Sequence, residues 1–315
     1  MGELINVEAL LGVMNMKHLT ERENVQLNSA YVRARFEAAY AALPPTSEFV
    51  AAALAGSAKR GWYANAQRAI ESQYGADASR FAALLAALSP QVPLQVNVKN
   101  AKSVFDKWIA SGRPLSKSAI IWYALRPAID GELLGAWINN SVSALQSGGE
   151  HQMSGPKVDS FYRNLIGDMS AVTCDSWMAA FAGIEQKKLG GARTGRGPGK
   201  SAVYLALSAR VRAAAKLLGW NPAEVQECIW AFTKTAYETA SASGPSVTVA
   251  SLVRAGTITD IIIGATPDIA TLFAAESTGL GIAARAPSRA ALFRIAERLD
   301  ARLAAARGAG SEPNF

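Results

Sequence analysis

The chain has 315 residues, 50% of them hydrophobic and 18% charged, enough to bury an extensive core. Its 32 basic residues against 25 acidic ones give a net charge of +7, which favours a polyanionic partner, most simply nucleic acid. Two cysteines and two histidines, with no CxxC pair, exclude an iron–sulfur cluster or structural zinc and disfavour histidine triads and zinc deaminase chemistry.

No run of about 18 uncharged apolar residues occurs, and the first residues lack a basic-then-apolar pattern. A soluble, intracellular protein with no membrane partner is expected. Alanine dominates and β-branched runs are few before residue 245, so the fold class expected is mainly α.

In chain order, an amphipathic run from Leu19 to Leu43 stops at Pro44-Pro45. Residues 47–88 predict two or three helices broken at Gly56, Gly61 and Gly75. The turn Leu88-Ser89-Pro90-Gln91-Val92-Pro93 ends a strongly apolar helix. Asn97, Asn100, Ala101, Val104, Phe105 and Trp108 then build another, closed by Gly112-Arg113-Pro114. Residues 115–150 carry one or two more.

The stretch 151–183 holds the densest pattern. Gly155 permits a positive φ, Pro156 suits a first helical position, and Val158, Phe161, Tyr162, Leu165 and Ile166 repeat at helical spacing until Gly167-Asp168. Lys157 sits on the far side of this turn, and Asp175 follows it by 18 residues at the mouth of the next segment. An ordinary Gly-Pro helix start followed by an Asp cap is the plainer reading of the same residues.

Residues 187–200 form a glycine-rich basic loop with Arg193, Arg196 and Lys200, and no acid occurs from Lys187 to Pro222. It does not match the P-loop spacing and is expected to contact phosphate. Two helices follow over 201–240, the second opening at Asn221-Pro222. Gln226, Trp230 and Lys234 share one face of it, with Trp230 read as core. Beyond Gly244-Pro245 the texture changes: Val247–Leu252 reads as a short helix or strand, Ile258–Ile263 as β-rich, and 288–307 as an amphipathic helix. The expected organisation is a helical domain over 1–240 and a C-terminal appendage over 241–315.

With these motifs the chain resembles the helix-hairpin-helix DNA glycosylases, in the branch that pairs a lysine with an aspartate. Gly61-Trp62-Tyr63, Ser89-Pro90-Gln91 and Gln226-x-x-x-Trp230 look like a phage-associated offshoot of that superfamily, similar to the amino-acid:DNA transferases of thymine hypermodification. The resemblance is firmest over 151–183, looser over 61–110 and 201–235, and absent from the tail.

It implies a glycosylase-like helical fold that binds double-stranded DNA and flips a base out of the stack. The reaction implied replaces the phosphate of a phosphorylated 5-hydroxymethyluracil by an amino acid such as glycine. That amino acid is a co-substrate, and no cofactor or metal takes part. A glycosylase excising a modified base and a non-enzymatic DNA-binding protein are the alternatives. Asp175 and Lys157 take the catalytic positions. Gln91, Asn97, Asn164, Tyr162, Arg163, Gln226 and Lys234 are expected to meet base or substrate. Gly155, Arg193, Arg196 and Lys200 are expected to meet DNA. The location implied is the cytoplasm of a bacterial host.

Overall fold

The computed structural model describes residues 27, 29–148, 153–194, 197–244, 246–255 and 288–308, and they are mainly helical. Helix α1 (Ala30–Ala42) starts where the Ser29 hydroxyl accepts the Val32 N–H, and stops before Pro44-Pro45. Helix α2 (Thr46–Ala55) follows and ends at Gly56. A short 3-10 turn leads to α3 (Trp62–Tyr74), then to α4 (Ala78–Ala87) and α5 (Leu94–Ala110).

Helix α6 (Lys117–Ile120) runs into a π turn (Ile121–Leu125) and then α7 (Arg126–Ala128). Helices α8 (Gly135–Ser147), α9 (Pro156–Leu165) and α10 (Ser176–Ala182) come next. Strands β1 (Gly191–Thr194) and β2 (Gly197–Lys200) pair antiparallel, with Gly191 opposite Lys200. Helices α11 (Ala202–Leu218), α12 (Pro222–Ala242), α13 (Val249–Ala255) and α14 (Arg289–Gly308) complete the described chain.

Asn221 and Glu224 cap α12 reciprocally, as the Asn-Pro start predicts. The glycine-rich loop, expected to be irregular, contains a short hairpin. Residues 247–252, left open between helix and strand, fall largely in α13. The β-rich reading of 258–263 and the first part of the run from Leu19 lie outside the described residues.

The chain divides into two compact units. Among the described residues, one comprises 27–60, 174–255 and 288–308, and the other comprises Gly61–Thr173. The boundary expected near residue 240 falls inside the first of these units, where α14 packs against α2 and α10.

In the 61–173 unit the hub is α4. Every residue from Phe81 to Leu88 is buried, and α3, α5, α8 and α9 pack around it. A helix with apolar residues on all sides is stable only when covered all round. Each buried Leu or Phe there contributes about 1.5–3 kcal/mol. The other unit builds on α2, α11 and α12. Gly56 is required where α2 ends, since a Cβ would lie 2.0 Å from the Cys228 carbonyl oxygen.

Glu48 on α2 is 1% exposed and meets Arg294 at 2.6 Å and Arg298 at 2.5 Å, both on α14. A buried carboxylate is tolerated only when paired, and these arginines pair it. Among the described residues no helix is long and apolar enough to cross a membrane. The double variant Arg294→Ala/Arg298→Ala is expected to lower unfolding free energy by about 3–5 kcal/mol, because it strands the Glu48 charge. Urea unfolding tests this, and an unchanged midpoint would show that α14 does not depend on the clamp.

Candidate functional site

The expected residues fall in both units, and each group is described by itself. In the 61–173 unit, Gly155 adopts φ 93° at the start of α9, which its lack of a Cβ allows. The preceding turn is fixed by Asn140 on α8. Its amide nitrogen donates to the Ser154 carbonyl at 2.9 Å, and its oxygen accepts the Ser154 N–H at 2.8 Å.

Lys157 is half-buried in the first turn of α9. Its Nζ donates to Ser89 Oγ at 2.6 Å and to the Ser89 carbonyl at 3.3 Å, and it stands 5.4 Å from the centroid of the Phe161 ring. Ser89 Oγ donates onward to the Ala86 carbonyl at 2.8 Å, while the Trp137 indole N–H holds the Pro90 carbonyl at 3.0 Å. The Leu88–Gln91 turn is thus pinned from both sides. At its tip Gln91 is exposed with φ 63°, a conformation that costs a non-glycine residue about 1–2 kcal/mol.

Four other expected contacts have partners within the fold. Asn164 is 0% exposed, and its amide nitrogen donates to the carbonyls of Asp168 (2.9 Å) and Ala171 (3.0 Å). Its oxygen accepts from the Thr173 hydroxyl at 2.7 Å, so its hydrogen-bonding capacity is spent internally. Tyr162 is buried, with its hydroxyl 2.8 Å from Ser79 Oγ. Asn97 is buried and donates to the Leu85 carbonyl at 3.0 Å. Arg163 is ion-paired with Asp168. Burial works against the Asp168 charge, but the Ser170 hydroxyl and the Arg163 guanidinium outweigh it and hold that carboxyl below its usual range.

In the other unit, Asp175 is the N-cap of α10. Its Oδ1 accepts the N–H groups of Trp177 and Met178, each at 3.0 Å. Its Oδ2 accepts the indole N–H of Trp230 on α12 at 2.8 Å. Three donors therefore converge on one half-buried carboxylate. Trp230 is itself half-exposed, not the core residue expected from the periodicity. One turn on, Lys234 stands 5.9 Å from the Trp230 ring centroid and pairs with Glu238 at 2.6 Å. Gln226, expected to face substrate, is buried at 2% exposure. The burial follows from its place on the covered side of α12.

Lys200 ends β2, with its Nζ 5.1 Å from the centroid of the Tyr204 ring. Arg193 lies in β1, and Arg196 lies outside the described residues. The two cysteines offer no nucleophile, since burial pushes the Cys174 thiol up to about 12 and raises Cys228 as well. Among the described residues no group of three or more His, Cys, Asp and Glu side chains is arranged to hold a metal ion.

Sequence reasoning missed Ser89 and Trp230. Ser89 lay inside a turn already singled out, and Trp230 lay on a stripe already noted. Only their partners were illegible.

Residues 49–237 match a family of unknown function, DUF7178, and the chain belongs to that family. No curated protein and no solved structure matches it. The matched span contains Ser89, Gln91, Lys157, Asp175 and Trp230.

Trp230→Phe keeps the ring but removes the donor to Asp175. It is expected to lower stability by about 1.5–3 kcal/mol, the range for a hydrogen bond to a charged group. Lys234→Gln, which removes the pair with Glu238 and a long contact with the Trp230 ring, is expected to cost about 1 kcal/mol or less. Denaturant unfolding of the two variants checks the ordering, and equal losses would show that the indole N–H does not hold the carboxylate.

Proposed function

We propose that the chain is a DNA-modifying transferase. It acts on a phosphorylated 5-hydroxymethyluracil flipped out of duplex DNA and replaces the phosphate with an amino acid, glycine first among the candidates. The observation that carries this reading is the Asp175 carboxylate, fixed by two backbone N–H groups and the Trp230 indole beside a half-exposed aromatic face. A negative charge held that firmly suits a reaction that builds positive charge on an attacking amine.

In the step itself, the amine nitrogen of the amino acid bonds to the methylene carbon on C5 of the base. The carbon–oxygen bond to phosphate breaks, and phosphate leaves with the bonding pair. The nitrogen sheds a proton, and Asp175 is its acceptor. Lys157 balances the charge of the departing phosphate from a position set by Ser89.

Of the four amides expected to read the base, Gln91 is the exposed one, so the base edge is assigned to it. Arg163 is committed to Asp168, which leaves Lys200, Arg193 and Arg196 to meet the phosphates and the amino-acid carboxylate. Such chemistry belongs in the cytoplasm of an infected bacterium.

Duplex DNA carrying the phosphorylated base is incubated with glycine and digested, and the nucleosides are weighed by mass spectrometry. The expected product has gained glycine and lost phosphate, with the strand intact. Asp175→Asn preserves the cap through its remaining oxygen, and Asn is a good N-cap. It is expected to lower turnover at least 100-fold and leave duplex binding unchanged. Free base released from the strand, with a borohydride-trapped protein–DNA adduct that disappears in Lys157→Gln, would replace the transferase with a lysine-type glycosylase.

A further inference from the structure

We infer that Trp122, Tyr123 and Arg126 form a stacking platform for an unpaired nucleotide, separate from the residues assigned to catalysis. Trp122 is 60% exposed and Tyr123 62% exposed, on consecutive positions of the π turn that joins α6 to α7. The helix buries Ile120, Ala124, Leu125 and Ile129, so its core-facing side is already complete without them. A π turn inserts one residue into the helical register and is found frequently at functional positions. Here it accompanies two large aromatic rings turned to solvent, which a folded chain gains nothing by exposing.

The chemistry around the rings selects the occupant. The Arg126 guanidinium lies over the Trp122 ring, 4.4 Å from its centroid. The guanidinium covers one face of the ring and keeps N–H groups to donate to a phosphate, which leaves the opposite face to take a base. Residues 94–132 carry six basic side chains and three acids, Asp106, Asp130 and Glu132, a net charge of +3 from six less three. Asp77, from outside that span, neutralises Arg113 at 2.9 Å, and Lys117 donates to Asn139 at 2.9 Å. The segment is therefore cationic as well as aromatic. A nucleotide offers both complements at once, a flat base and an anionic phosphate. A base inside a duplex is covered on both faces, so the ligand is an unpaired nucleotide in a strand of DNA or RNA.

The platform is independent of the transferase reading, and its test uses neither glycine nor a modified base. Fluorescence anisotropy of the full-length chain is measured with a labelled single-stranded DNA, the same sequence as blunt duplex, and the same sequence as single-stranded RNA. Trp122→Ala is expected to weaken single-strand binding at least about fivefold, and Tyr123→Ala to weaken it in the same direction. Trp122→Phe is expected to recover most of the loss, whereas Trp122→Leu, apolar but not aromatic, recovers none. Duplex affinity is expected to change less than twofold in all four variants. Equal weakening with DNA and RNA marks recognition of the base alone, and weakening with one of them marks a sugar-sensitive platform. Both outcomes support the inference.

Because both rings are in solvent, thermal midpoints are expected to stay unchanged, which separates a binding loss from unfolding. Wild-type single-strand affinity in both alanine variants overturns the platform, as does full recovery by Trp122→Leu. Neither result bears on the mass-spectrometric product of the transferase assay.

Discussion

A helix that starts inside a protein must find acceptors for its first N–H groups, and this requirement organises the unit around α10. Trp177 and Met178 are buried at its start, out of reach of the water that would otherwise satisfy them. Asp175 Oδ1 answers both. Capping explains that oxygen completely, and serine or asparagine caps equally well. It does not explain the other. Oδ2 is engaged by an indole from α12, so one carboxylate joins two helices and is aimed by three donors. The plain reading of Asp175 as a helix cap is therefore correct and incomplete.

The 61–173 unit poses the opposite electrostatic problem. The N-terminus of α9 carries partial positive charge, and a lysine in its first turn is misplaced by roughly 0.3–1 kcal/mol. Asp159, in the same turn, is the residue a helix start favours. Lys157 is nonetheless there, half-buried, with two Ser89 oxygens as acceptors. The turn that supplies them is held in turn by Ala86 and Trp137, and it pays for its shape with a positive φ at Gln91. The hydrogen bonds from the ammonium to Ser89 offset the cost of a cation set against the helix dipole.

Much of the helical order was legible because its signals are local. Pro44-Pro45, Gly61, Gly155, Gly219 and Asn221-Pro222 punctuate the chain where the helices begin or end. The residues that bear on the site divide by the same criterion. Lys157 and Asp175 stand at helix starts that a sequence announces. Asn164 does not advertise its fate, because an amide offers the same donors and acceptor to a base as to a backbone. Its partners, Asp168, Ala171 and Thr173, are set by how the chain folds back after Gly167. Trp230 was hidden for a related reason: helical periodicity places a ring on a face but does not say whose carboxylate that face meets. The domain division was illegible because Glu48 finds its arginines nearly 250 residues away.

That last contact also separates what the family shares a model for from what it does not. Glu48, Arg294 and Arg298 all lie outside the matched residues 49–237, although Glu48 falls one position short of them. A carboxylate at 1% exposure cannot stand uncompensated, so a chain that carries Glu48 at this point of α2 needs α14 or an equivalent source of cations. Inside the matched span, Asp175 receives two backbone N–H groups and the Trp230 indole, and Lys157 meets a serine carbonyl and hydroxyl. Directional contacts of this kind fix where a side chain points, which is what a group proposed to act on a ligand requires.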